Sequence, residues 1–76
     1  MNSLTHSIVQ QLLDNLSERQ RKVIEYRYGL LDNEKMTLEQ VAIKLYITRE
    51  RARIEEAKAL RKMRRMIYEQ CLDQIQ

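Results

Sequence analysis

Between Arg49 and Arg65 the chain carries Arg49, Arg51, Arg53, Lys58, Arg61, Lys62, Arg64 and Arg65 against only Glu50, Glu55 and Glu56, eight positive charges to three negative. Residues 1–48 hold six charges of each sign and residues 66–76 add Glu69 and Asp73, so the whole formal excess of +3 originates in this one stretch. A basic stripe confined to one segment is an electrostatic footprint for phosphate, although a charge run alone describes a solvated helix face equally well. The sequence immediately ahead of it selects between the two readings.

That sequence is T-L-E-Q-V-A-I-K-L, starting at Thr37. Thr37 can cap a helix and Gln40 can reach back to its amide as the other half of a capping box. Leu38, Val41, Ala42 and Leu45 fall at the three- and four-residue steps of one helical face, and the small Ala42 sits where a crossing helix needs close approach. Y-I-T follows. Tyr46 breaks the stripe, Ile47 is apolar enough to plug a corner, and Thr48 can cap a second helix that opens R-E-R. Two helices joined by a turn of three to four residues form a helix-turn-helix over about residues 37–64. The second helix would then bring its cations to duplex DNA.

From Thr48 to Arg64, T-R-E-R-A-R-I-E-E-A-K-A-L-R-K-M-R resembles the last helix-turn-helix of bacterial RNA polymerase sigma factors, region four of the primary-sigma type. The similarity runs without a gap from Leu16 to Arg64, about two thirds of the chain, with E-A-K-A-L-R-K at Glu56 to Lys62 its most specific part. The resemblance implies a domain that recognises the minus thirty-five promoter element in the major groove and docks on the flap of the polymerase beta subunit. It also implies roles for single residues. Arg49, Glu50, Arg53 and Ile54 occupy the positions that meet base edges; arginine suits guanine O6 and N7, and a carboxylate accepts from a cytosine amino group. Thr37, Leu38, Thr48 and Lys58, with Arg19 and Arg27 from the preceding helix, match positions that grip the phosphate backbone, where hydroxyls, helix-start amides and cations all serve. Arg61, Arg64, Ile67 and Leu72 are assigned to a surface for a partner or activator.

Two positions depart from the family pattern. Where the family usually has Gln, this chain has Ile54, which offers a thymine methyl group apolar contact but makes no paired bonds to adenine. The target sequence need not be the family's. Where the family commonly has Ile, this chain has Glu55, which interrupts the inward stripe of Ala52, Ala59, Leu60 and Met63 with a carboxylate that is costly to bury unpaired. Three outcomes are open: loose packing, a Glu55 that reaches solvent or a cation, or a helix turned in its seat to offer Ile54 to a partner.

The rest of the chain must hold this motif. Seventy-six residues with no Pro, one Gly, no Phe or Trp and 33% charged residues suit one small all-α domain, 1–76, close to the size at which a single core is marginal. Leu4, Ile8, Val9, Leu12, Leu13 and Leu16 predict an amphipathic first helix from about Ser3. Ser17 with Gln20 predicts a second capped helix, with Val23, Ile24 and Tyr28 inward and Gly29 as its left-handed stop. Leu30 and Leu31 are expected to fold back on the core, and residues 32–35 to form a polar connection. The four-helix domain thus has a C-terminal helix-turn-helix. Past Arg65 no breaker intervenes, so the last helix is expected to extend to about residue 74, its apolar stripe of Met63, Ile67, Cys71, Leu72 and Ile75 packing on the first helix or forming a dimer or partner surface.

Several function classes fall away. Cys71 is the only cysteine and His6 the only histidine, so neither an internal disulfide nor a metal cluster is expected, and no cofactor. No catalytic constellation is present, and an enzyme is not expected. No apolar run approaches the roughly twenty residues that span a bilayer, which with the lack of a signal-peptide core predicts a cytoplasmic, nucleoid-associated protein with no membrane partner. Double-stranded promoter DNA and the polymerase flap are the expected partners, with other sigma domains, activators or anti-sigma factors beside them. The rival reading is a region-four-like protein-interaction module, a co-regulator or sigma-binding factor, that has lost DNA reading. A homodimer built on the C-terminal stripe is admitted but not favoured.

Overall fold

The computed structural model describes the backbone of residues 3–31 and 33–75, and the side chains of residues 8–31 and 33–69. Four helices account for most of these: α1 (Ser3–Asp14), α2 (Glu18–Tyr28), α3 (Leu38–Leu45) and α4 (Arg49–Ile75), with no strand among the described residues. The all-α reading holds, and the last helix is extended as its unbroken stripe predicts.

The helices begin and end where local chemistry dictates. Ser17 is extended (φ −63°, ψ 160°) and its hydroxyl accepts from the Gln20 amide at 3.2 Å, while the Gln20 side chain accepts from the Ser17 amide at 3.3 Å. Thr37 and Gln40 repeat the device at 3.2 and 2.9 Å. Each box satisfies two amides that a helix start otherwise leaves without a partner. Gly29 closes α2 in the left-handed region (φ 67°), and a Cβ there would lie 3.0 Å from the Lys35 amide nitrogen and 3.2 Å from the Asn33 carbonyl oxygen. Both backbone angle and space require glycine.

The core has two centres. Leu13, Leu16, Ile24 and Ala59 form one, where α1 and α2 meet α4, with Val9, Leu30, Leu60 and Met63 packed around it. Val23, Val41, Ala42 and Ala52 form the other, beneath the helix-turn-helix, bordered by Met36, Leu38, Leu45 and Ile47. The small Ala42 and Ala52 let α3 and α4 cross closely, and Ile47 plugs the corner as its position predicts.

Two expectations are corrected. Tyr28 does not point inward; it is 44% exposed, lying one turn past the buried Ile24 at the end of α2, where the core no longer covers it. Leu30 folds onto the core but Leu31 does not, being 49% exposed with a left-handed φ of 54° that turns its side chain outward. Leu4 and His6 on α1, and Cys71, Leu72 and Ile75 on α4, lie outside the described side chains, as does Asp32 of the polar connection.

Candidate nucleic-acid interface

Thr48 sets the direction of the basic helix. Its hydroxyl accepts from the Arg51 amide at 3.0 Å, so α4 starts at Arg49, after a turn of Tyr46, Ile47 and Thr48. Tyr46 is the pivot: as the C-cap of α3 it adopts a left-handed φ of 59°, its amide donates to the Ala42 and Ile43 carbonyls, and its ring is 95% exposed. The Ile47 amide donates to the Ala42 carbonyl at 3.0 Å. Backbone bonds and a half-buried isoleucine packed on the core therefore hold the turn.

Arg49, Glu50, Arg51 and Arg53 all stand exposed on the first turns of α4. Glu50 and Arg53, one turn apart, are paired: Arg53 Nε donates to Glu50 Oε2 at 3.0 Å and Nη2 to Oε1. That hydrogen bond, helped by the charges of Arg53 and Arg49, holds the Glu50 carboxyl below its ordinary range despite some desolvation. It likewise raises the Arg53 guanidinium, through the hydrogen bond first and the Glu50 charge second. The start of the helix thus presents an ordered pair, a carboxylate acceptor beside a fork of donors. Ile54 is half-buried, so α4 is not turned in its seat to expose it.

Glu55 is buried, at 7% exposure, between Ala52 and Ala59 on the inward face. Its Oε1 lies 4.0 Å from Nζ of Lys58, one turn on, whose side chain is 51% exposed. Of the three outcomes open to Glu55, the structure takes the one in which it reaches a cation. Lys58 in turn joins Arg61, Lys62 and Arg65 around a shallow cleft of about 280 Å³ lined by cations alone.

The remaining sequence-predicted positions divide. Thr37 is exposed at the start of α3, beside the half-buried Leu38, and Arg19 is exposed on α2, where it lines a cleft of about 270 Å³ with Glu18, Lys22 and Leu45. Arg27 is engaged elsewhere. Its Nε donates to Glu56 Oε2 at 3.1 Å and its Nη1 to the Met36 carbonyl at 3.0 Å, so the guanidinium braces α2, the loop before α3 and α4 instead of standing free. Arg61 and Arg64 are exposed, Ile67 is 45% exposed, and the Leu72 side chain lies outside those described. Glu56, which anchors Arg27, went unassigned in the sequence. Its partner lies 29 residues away, a distance at which no local pattern operates. Glu56 also touches Tyr28, whose phenol is raised first by partial burial and then by that carboxylate.

Among the described residues no group of three or more His, Cys, Asp or Glu side chains is placed to hold a metal ion. No described helix is long and apolar enough to cross a membrane.

The comparisons with known proteins agree with this arrangement. The family model for sigma-70, region 4, matches residues 12–65, which takes in the end of α1, both capped helices and the basic part of α4. The chain is 47% identical over 62 residues to the RNA polymerase sigma factor SigA of Nostoc, 82% of this chain and 16% of that one. It is 42% identical over 64 residues to the sigma factor RpoD of Neisseria gonorrhoeae, 84% of this chain and 10% of that one. With RpoD of Helicobacter pylori the identity is 46% over 57 residues, 74% of this chain and 8% of that one. The chain therefore spans less than a fifth of the length of each of these relatives. On the match to most of its length and on these identities, the chain belongs to the sigma-70 region 4 family, a family of binding domains and not of enzymes.

Proposed function

We propose that the chain, acting as one unit, binds promoter duplex at a minus thirty-five-like element through the start of α4 and docks on RNA polymerase at the beta-subunit flap. The observation that carries this reading is the exposure of Arg49, Glu50 and Arg53 together on the first turns of a helix that a capped partner helix and a three-residue turn hold outward. Arg49 and the Glu50–Arg53 pair meet base edges in the major groove, with Ile54 lying against a thymine methyl at the margin. Arg19, Lys58, the hydroxyls of Thr37 and Thr48 and the amide of Leu38 take the phosphates on either side. Arg27 contributes as a brace. Arg61, Arg64, Ile67 and Leu72, farther along α4, serve a partner, whether activator, anti-sigma factor or another sigma domain. The relatives' names, RNA polymerase sigma factors, support polymerase as the second partner.

The test is fluorescence anisotropy of the domain on a promoter duplex carrying the minus thirty-five element and on a scrambled duplex, across a salt series. Preference for the promoter, with affinity falling at a log-log slope of roughly −4 to −5, as expected for about five phosphate contacts, supports the reading. Equal or absent binding to both duplexes at low salt overturns it in favour of a region-four-like protein-interaction module, for which the polymerase flap is the next ligand to titrate.

A further inference from the structure

Glu50 gives both of its carboxylate oxygens to one guanidinium: Arg53 Nε donates to Oε2 at 3.0 Å and Arg53 Nη2 donates to Oε1. Of the two residues that share its face one turn on, Arg53 and Ile54, only Arg53 is polar, so the carboxylate has a single hydrogen-bonding neighbour there. The pair stands clear of the core, with the Arg53 side chain 57% and the Glu50 side chain 66% exposed, and an ion pair so exposed adds little to the stability of a fold. What it supplies is direction. A guanidinium has two edges that carry parallel donors, Nε with one Nη and the two Nη together. Glu50 occupies the first edge and leaves the second, Nη1 with Nη2, available beyond the end of the side chain.

We propose that Glu50 is a positioning residue for Arg53 and reads no base of its own: by holding the Nε–Nη2 edge it presents the Nη1–Nη2 edge of Arg53 to O6 and N7 of a guanine. This rests on the proposed contact of the start of α4 with promoter duplex, and it replaces the cytosine contact that the family resemblance gives to Glu50. The two donors of the second edge match the two acceptors that guanine shows in the major groove, whereas adenine offers one acceptor beside a donor. A guanidinium that swings unheld can turn instead to a phosphate oxygen, which carries no sequence information. Held by Glu50, it pays less of its rotamer entropy on meeting the base and has fewer wrong partners within reach. The carboxylate also sets a negative charge beside the groove, which weakens attraction to any duplex and leaves a larger share of the affinity to the guanine contact. Glu50 and Arg53 together thus specify one base pair, through Arg53, and not two.

Anisotropy of the full chain on promoter duplexes varied one base pair at a time tests this, with the parent, Glu50→Ala, Arg53→Ala and the double variant side by side. Arg53→Ala locates the pair that Arg53 reads. Glu50→Ala should lower the preference for guanine at that same pair about three- to tenfold and at no other, while binding to a scrambled duplex does not fall. The double variant should match Arg53→Ala, because Glu50 has nothing left to position. Circular dichroism should show unchanged helix content in all three variants, since neither residue belongs to the core. In the free chain, exchange of the Arg53 Nε proton followed by NMR should be about threefold slower in the parent than in Glu50→Ala. Relaxed preference at a second pair in Glu50→Ala would make Glu50 a reader of its own base and overturn the proposal, as would losses that add in the double variant, an unchanged map of preferences, or equal exchange of the Nε proton with and without Glu50. A parent chain with no preference among duplexes would overturn the promoter contact itself and this proposal with it, whereas the other outcomes leave that contact standing.

Discussion

Glu50 and Arg53 hold each other one helical turn apart, and this decides how the start of α4 meets a groove. An arginine whose fork is already bonded on one side loses less rotamer freedom when its other donors find a base. Arg53→Ala should therefore cost about 1 to 3 kcal/mol of binding and relax preference at one base pair, measured by anisotropy on duplexes varied one pair at a time. An equal loss on all sequences would reassign Arg53 to phosphate. Lys58 stands on the same helix under different constraints: its ammonium lies 4.0 Å from the buried Glu55 and half its side chain is exposed. Lys58→Ala should weaken binding uniformly and flatten the log-log salt slope by about one unit. A slope equal to that of the parent chain would remove Lys58 from the footprint.

Two elements carry a cost that their replacements should reveal. Tyr46 closes α3 at a φ of 59°, where an L side chain is strained and where its ring, 95% exposed, has almost no packing to lose. Tyr46→Gly should stabilise the fold by roughly 0.5 to 1 kcal/mol in urea unfolding, glycine's greater freedom in the unfolded chain offsetting part of the relief. A destabilised variant would show that the ring does pack. Glu55 occupies an inward position on α4 with a single distant cation for company. Glu55→Ile should stabilise by about 1 to 4 kcal/mol, since a buried charge with imperfect pairing is often worse than an apolar side chain of similar size. Should Glu55→Ile unfold at lower urea than the parent chain, the carboxylate would have to be counted as a structural partner of Lys58.

At the scale of the molecule, one side chain joins what the two core centres leave separate. Arg27 bonds Glu56 on α4 and the Met36 carbonyl just ahead of α3, while the Met36 amide donates to the Tyr26 carbonyl at 3.0 Å. The brace ties α2 to both helices of the helix-turn-helix, in a domain 44 × 24 × 17 Å whose long dimension is close to the length of α4. Glu56→Ala should destabilise by roughly 1 to 2 kcal/mol, a value held down by solvent screening at the partly exposed Arg27. Measured by thermal unfolding, a variant as stable as the parent would show that Met36 alone suffices to hold Arg27.

What the sequence determined by itself is local. Capping boxes at Ser17 and Thr37, a glycine stop at 29, apolar residues at helical steps and the i, i+3 spacing of Glu50 and Arg53 act over one or two turns, and those interactions place the helices and the basic stripe before any packing occurs. The side of α4 that faces outward was legible too, because Ala52, Ala59 and Met63 mark the opposite side. Tertiary structure alone decided the rest. Tyr28 lies one turn from the buried Ile24 and Leu31 stands next to Leu30, which packs on the core, and only the stacking of the helices shows that the core stops short of both. Arg27 reads as one more cation until the fold brings it to Glu56, a residue far away in the chain. Glu55 had three open outcomes, and the close crossing of α3 and α4 on Ala42 and Ala52 buries it with Lys58 as its nearest cation. Pairing across such distances depends on how the helices stack, and no spacing within one helix encodes it.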